Sequence, residues 1–370
     1  MPDRLGLRAW LSRFAAHNDV SFALEGCTGW RYVVEELVRA GAVAHVAEPA
    51  EAAALKGRKS RAKTDRSDAR HLRQLLLDGR VPESWIPPAV VLDARVLVRL
   101  YKDLLDERTG WFQRIAATTY HHGVPKLAGR VVTKDGRRHL AEADLPPAGR
   151  FAVESGLRQI DRLNAERLSL RSQIVRFGAA QPGCRTLADN HYGVGPLLSV
   201  AIWSELGDCR RFSSSDDAVR HAGLDVTVYS SDGRKTRGHL AKQDPPVLRW
   251  ALYEAALYAA RPSSPDHAYF CAVKQRLDGQ LALLPMARKL ARRCARRGCR
   301  GSRPTVIARQ GRGAAADSAG SCARECTASR RSDRTRRAPP CAGRSGQGTP
   351  PTPRRSARDI PPKVARHDGG

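Results

Sequence analysis

Apolar residues at Leu5, Leu7, Trp10, Leu11 and Phe14 recur at helical spacing and predict a helix over residues 4–17. Residues 19–24, DVSFAL, alternate as a strand does and end at Glu25-Gly26. Trp30 to Ala40 is amphipathic with a helical period and is closed by Gly41. Residues 42–47, AVAHVA, read as a second short strand. Strand, helix and strand within about 30 residues form a βαβ unit, which implies a parallel sheet covered by helices. After the basic run KGRKSRAK, Thr64 is the expected N-cap of a helix from Asp65 to Leu77, stopped at Asp78-Gly79. PESWIPP then reads as an extended linker.

Two long helical patterns follow. One runs from Val90 to about His122. The other runs from about Glu154 to Phe177, with Ile160, Leu163, Arg167, Leu170, Ile174 and Phe177 alternating steps of 3 and 4. That is a coiled-coil seam with one arginine fault. It fits an antiparallel helical hairpin or a dimerising stalk, and two ordinary core helices fit equally well. Pro182-Gly183 opens a third, helix-rich region that extends to about Arg293. The fold class is therefore α/β plus α-helical: an α/β domain over 1–89, a helical or coiled-coil region over 90–180, a helix-rich domain over 181–293 and a tail over 294–370.

Charge changes this picture from fold to function. The chain has 370 residues with 64 Lys and Arg against 37 Asp and Glu, a net charge of +27. An excess of that size points to a polyanionic partner, most commonly nucleic acid, and away from a free-standing metabolic enzyme. No run of apolar residues reaches membrane-spanning length, and the first residues, MPDRLGLRAWLSRF, do not form a signal peptide. Nine cysteines without a regular framework fit a reducing, cytoplasmic setting. Residues 291–370 hold 20 Lys and Arg against 5 Asp and Glu and no aromatic residue. Such a segment cannot offset the entropy of ordering and reads as disordered. It is either a basic arm for phosphates or an out-of-frame stretch, since its Arg, Pro, Ser, Cys and Gly richness has no period. Its cysteines lack zinc-knuckle spacing.

Three constellations carry candidate chemistry. Glu25 stands at the C-terminal end of a strand, where open α/β sheets place their sites. Asp65 and Asp68 share a face at the start of a helix. Together they could converge on a divalent ion for phosphoryl transfer; singly, each is a helix cap or a solvated charge. Next, Gly193-Val194-Gly195-Pro196 resembles the phosphate-gripping turn of helix–hairpin–helix modules, with free amides and a positive helix end. Finally, Ser230 and Ser231 sit beside Arg234, Lys235, Arg237 and Lys242. A serine in a cationic, glycine-containing loop suits a nucleophile for a phosphodiester, and Ser-Ser-Asp-Gly is equally a hairpin turn.

The ordered series EGCTGWRYVVEELVRAG, AHVAEPA, KGRKSRAKTDRSDARHLRQLL, PESWIPP, YGVGPLLSVAIWSELGD and AGLDVTVYSSDGRKTRGHLAKQDPPVLRWALYEAA resembles transposases of the insertion sequence 116/110/902 family, from about Leu5 to Arg293. The resemblance implies a RuvC-like, RNase H-fold N-terminal domain with an Asp-Glu-Asp-Asp tetrad, a coiled-coil middle and a C-terminal domain with a catalytic serine. By match, Glu25 corresponds to the second tetrad member, and Asp65 and Asp68 to the third and fourth, holding magnesium. Ser231, with Ser230 as the alternative, corresponds to a nucleophile that attacks DNA and forms a 5′-phosphoserine-type intermediate. Gly193, Gly195 and the basic residues Arg234, Lys235, Arg237 and Lys242 would contact nucleic acid. The implied partners are DNA, a structured guide RNA (used by some members) and further copies of the chain, in a bacterial cytoplasm at the nucleoid.

No Gly-Ile-Asp-Val-like strand precedes Glu25. The RNase H-like domain is therefore expected to be truncated, without its opening strands and first aspartate. Three functions remain open: a serine-dependent transposase or site-specific recombinase, a DNA- or RNA-binding remnant that cannot cut, and a RuvC-like nuclease using only the acidic site. In the binding reading, residues 180–290 act as an autonomous module.

Overall fold

The structure is a computed structural model that describes residues 3–17, 19–56, 64–125, 131–231, 234–240 and 245–301, with side chains described outside 226–239 and 297–301. The chain divides into two units, 1–312 and 313–370, and every described residue lies in the first. Expectations about the tail from 302 onward lie outside the described residues.

The N-terminal part contains the βαβ unit. β1 (Ser21–Glu25) pairs in parallel with β2 (Val43–Ala47), from Ser21 opposite Val43 to Glu25 opposite Ala47, with the crossover helix between them. Helix α1 (Arg4–Leu11) is shorter than its apolar spacing predicts; a 3-10 turn over Ser12–Phe14 ends it and brings Phe14 against Trp10 and Phe22 at ring distances of 5.0 and 5.5 Å. Helix α2 (Trp30–Arg39) supplies buried Val34 and Leu37 to a small core with Leu11, Ala44 and Val46.

Glu36 on α2 is fully buried among guanidinium groups from α1 and α2: Arg8 Nε at 2.6 Å, Arg39, and Arg4 Nη1 at 2.8 Å. These donors, Arg8 and Arg39 foremost, hold its carboxyl well below the usual carboxylate range against the opposing effect of burial.

α3 (Pro49–Ala54), which the sequence pattern did not predict, begins directly after β2 with Pro49 at its first position. α4 (Asp65–Leu77) starts where predicted, because Thr64 and Ser67 cap it reciprocally.

α5 (Ala89–His121) and α7 (Pro147–Ala180) are the two long helices. His122 meets Gly149, Ile115 meets Gly156, Arg108 bonds Asn164 and Tyr101 bonds Arg167, so they run antiparallel along each other. Ile160, Leu163, Leu170 and Ile174 of the seam are buried within the same chain. Among the expected arrangements, the intramolecular hairpin is the observed one, and its seam is taken up by α5. α7 starts seven residues before the predicted Glu154, because Pro147 suits a first helical turn. α6 (Lys134–Glu142), also not predicted, closes the far end of this pair through buried Leu140.

In the C-terminal part, α8 (Pro182–Asn190), α9 (Pro196–Leu206), α10 (Ser215–His221), α11 (Pro246–Ala259), α12 (His267–Lys274) and α13 (Leu283–Gly301) surround one core. α9 is central and buried along most of its length: Val200, Ala201 and Ile202 are fully buried, and so are its polar Ser204 and Glu205. The core is continuous with the middle region, for Ala94, Val98, Tyr101 and Leu104 of α5 and Leu163, Leu170 and Ile174 of α7 belong to it. α13 corrects the boundary expected at 293/294. Cys294 and Ala295 are buried, extending the stripe of Met286, Ala287, Leu290 and Ala291 at helical spacing.

β3 (Val226–Ser231) and β4 (Arg234–Leu240) form an antiparallel hairpin with an irregularity between Val226 and Val228. Among the described residues, no helix is long and apolar enough to cross a membrane.

Candidate nucleic-acid interface

The turn between α8 and α9 is built by glycine and proline chemistry. Gly193 has φ of +88°, a conformation that L side chains rarely adopt. A Cβ there would stand 2.5 Å from the Ala255 carbonyl oxygen on α11. Val194 is buried in the core, and its amide donates to His191 O at 3.0 Å. Gly195 is different. Its φ is not positive, and a Cβ would meet nothing within 4 Å. Gly195 is the N-cap of α9, Pro196 opens the helix, and no side chain caps it. The positive end of an 11-residue helix therefore faces an open cleft with a glycine that the protein's own packing does not require.

That cleft measures about 1030 Å³. Its floor is residues 188–198; Arg108, Arg167 and Arg171 come from the α5/α7 pair, and Trp250, Glu254 and Tyr258 from α11. Arg167 Nη1 donates to Tyr101 Oη at 3.0 Å. These side chains were not singled out in the sequence, because they come from three helices far apart in the chain. Only the arginine fault in an otherwise apolar seam signalled Arg167.

The serines are at the end of a strand rather than in a loop. Ser230 pairs with Lys235 and Ser231 with Arg234 in the antiparallel β3–β4 ladder, and Asp232-Gly233 lie outside the described residues. Arg237 pairs with Val228 on the same ribbon. Lys242 lies outside the described residues.

The acidic candidates lie on two elements that pack together, β1 and α4. Glu25 is exposed at the end of β1. Asp65 and Asp68 occupy the first turn of α4, where the helix dipole favours them. Asp68 accepts from Lys56 Nζ at 2.5 Å and from Ser67 Oγ at 3.3 Å. Among the described residues, no three His, Cys, Asp or Glu side chains form a group that could hold a metal ion.

At the other end of α9, Trp85 of the PESWIPP segment sits between two guanidinium groups, Arg95 at 5.7 Å and Arg211 at 5.1 Å from the ring centroid. Arg95 Nε donates to Ser204 O at 2.8 Å and Arg211 Nη2 to Leu206 O at 3.2 Å. Arg99 makes a two-pronged pair with buried Glu205, at 3.0 and 3.2 Å. Cations thus satisfy the C-terminal carbonyls of α9. His221 Nε2 lies 3.0 Å from Arg211 Nη2 and 3.3 Å from Glu205 O. Burial, then the Arg211 charge, pushes the His221 pKa down to about 4.

Residues 186–271 match the Transposase IS116/IS110/IS902 family. The matched stretch runs from α8 through the glycine turn, α9, the serine hairpin and α11 into α12. No curated protein matches the chain.

Proposed function

We propose that this chain, a transposase of the IS116/IS110/IS902 insertion-sequence family, grips DNA with the Gly193–Gly195 turn and cuts it with a serine of the β3–β4 hairpin. One observation carries the reading: the family match coincides with a continuous structural stretch that holds both the uncapped α9 N-terminus and the cationic ribbon bearing Ser230 and Ser231. Phosphate oxygens suit the first, since helix amides and dipole favour an anion. The second pairs the serines in register with Lys235 and Arg234 and carries Arg237 on the same ribbon, basic residues whose charge would neutralise a phosphodiester under attack.

In this reading the Ser231 Oγ attacks phosphorus. A new O–P bond forms, the P–O3′ bond breaks, the serine proton passes to the departing 3′-oxygen, and a 5′-phosphoserine linkage results. Ser230 is the alternative nucleophile. A RuvC-like character for the βαβ unit, a guide RNA and assembly into an oligomer belong to the same proposal. Magnesium held by Glu25, Asp65 and Asp68 belongs to the same proposal, and no step is assigned to it.

The test is a covalent trap. The full chain is incubated with DNA carrying the ends of its own element and any transcript from them, then denatured. A protein–DNA adduct lost in Ser231→Ala and kept in Ser230→Ala supports Ser231, and the reverse assigns Ser230. Binding without an adduct, at any divalent-ion concentration, supports the second reading, a binding remnant.

A further inference from the structure

The cleft beside the glycine turn contains more than a phosphate needs. Its α5/α7 wall presents Arg108, Arg167 and Arg171. Arg167 is held in place by Tyr101, and its Nε is buried with no hydrogen-bond partner among the described residues. Arg171 is one helical turn further on the same face and forms no hydrogen bond or ion pair among the described residues. α11 contributes two rings, Trp250 and Tyr258, the second with the Arg261 guanidinium over one face at 4.2 Å. Two carboxylates, Asp189 and Glu254, also line the cleft, and neither is ion-paired among the described residues. The floor is the α9 N-terminus, where Gly195 leaves open space.

A duplex passing over a helix–hairpin–helix turn offers only its phosphates and sugars, and would leave the carboxylates without a partner. A free phosphate would be repelled by the carboxylates. An unpaired nucleotide uses all three kinds of group. Its phosphate takes the arginines and helix amides, its base takes an aromatic face, and its amino or imino N–H groups donate to carboxylates. At about 1030 Å³ the cleft is of the size that holds small ligands and too small for a duplex.

We propose that this cleft is a subsite for a single unpaired nucleotide of the nucleic acid bound at the Gly193–Gly195 turn. The proposal rests on the nucleic-acid-binding reading above. It adds that the protein takes one base out of the stack there, independently of whether the serines cut. The shared chemistry is an unstacked base with its phosphate, and either DNA or RNA could supply it.

The experiment uses the full chain and four oligonucleotide duplexes at one fixed salt concentration. A DNA duplex and an RNA duplex are each made fully paired and with a single bulged 2-aminopurine. Binding is followed by anisotropy, and base stacking by 2-aminopurine fluorescence. The expected result is that at least one bulged duplex binds about 10-fold tighter than its paired form, the effect of one stacked base. Its fluorescence should fall on binding. Which bulge is preferred identifies the source. Tyr258→Ala and Arg171→Ala, both at exposed positions, should each reduce that preference to below about 3-fold, Tyr258→Ala with the paired affinity nearly unchanged and Arg171→Ala with some loss of paired affinity as well. Equal binding of bulged and paired forms, or a preference that both variants retain, overturns the subsite and leaves the general binding reading standing. Failure to bind any of the four overturns both.

Discussion

The Trp85 ring lies directly on the Cα of Gly207, where an added Cβ would stand 2.2 Å from two ring carbons. Gly207 ends α9 with φ of +60° and ψ of −141°, a conformation closed to other residues. Two requirements, backbone and contact, thus meet at one position that joins the PESWIPP segment to the core helix. Gly207→Ala should cost about 3 kcal/mol or more, since neither strain nor overlap can relax without moving Trp85 from between Arg95 and Arg211. Urea unfolding of the variant measures this; a loss below about 1 kcal/mol would show that the joint is loose.

Elements with strong local chemistry were legible from the sequence. Thr64 and Ser67 fix the start of α4, and Gly41 follows the end of α2, so those bounds agree closely with the structure. Alternation in AVAHVA marked β2 because Ala44 and Val46 face one core while His45 lies on the other side. Local pattern could not assign a helix's partner. The seam Ile160–Ile174 has the same spacing whether it meets α5 or a second chain, and only the tertiary contacts decide. The site was half legible for the same reason. Gly193, Gly195 and the serines announce themselves by type, whereas Arg171 and Tyr258 acquire meaning only when α7 and α11 close on one cleft.

The two glycines of the turn should separate under mutation. Gly193→Ala forces a side chain into a left-handed backbone and against the Ala255 carbonyl, so it should destabilise the protein by about 3 kcal/mol. Gly195→Ala meets no protein atom within 4 Å and should leave the melting temperature within a degree or two. If a phosphate approaches that backbone closely, Gly195→Ala should nonetheless weaken DNA binding several-fold. Paired thermal melts and anisotropy titrations test both, and unchanged binding in Gly195→Ala would place the phosphate elsewhere.

His221 gives the fold a pH dependence of defined sign. Its folded pKa, about 4, lies below the ordinary 6.5, so the native state favours the neutral ring. The unfolded state binds the extra proton first as pH falls. The contribution of His221 is fully present above about 6.5 and is lost progressively as pH falls toward 4. His221→Gln should remove this part of the slope between those limits. Unfolding free energies across the pH range, compared between the two proteins, measure the difference; parallel curves would mean that burial beside Arg211 does not hold the ring neutral.

Arg167 is a fault in the apolar seam and also a cleft residue. Its guanidinium bonds Tyr101 Oη at 3.0 Å within the chain. Arg167→Leu should therefore leave self-association unchanged, because the seam it would perfect is already paired with α5. It should weaken nucleic-acid binding, with a shallower dependence of log affinity on log salt if a phosphate contact is lost. Light scattering and salt titrations read the two effects separately. Tighter association of Arg167→Leu would show that α7 meets a second copy through this face.

The region after residue 180, expected from its sequence to act as an autonomous binding module, shares its core with the helical pair. Leu163, Leu170 and Ile174 of α7 and Ala94, Val98, Tyr101 and Leu104 of α5 are buried in the cluster that contains α9 and α11. A fragment of residues 181–296 would expose the apolar faces of α9 and α11 that these residues cover. Losing one buried leucine-sized contact costs about 2–5 kcal/mol, and several would be lost together, against a domain stability of about 5–15 kcal/mol. The fragment is expected to lack cooperative unfolding and to bind nucleic acid weakly, whereas a fragment of residues 89–296 should melt cooperatively and bind as the full chain does. Circular dichroism melts of the two fragments decide the matter. A cooperative transition in the shorter fragment would show that α5 and α7 cover the core without being required to form it, and that the binding module is autonomous after all.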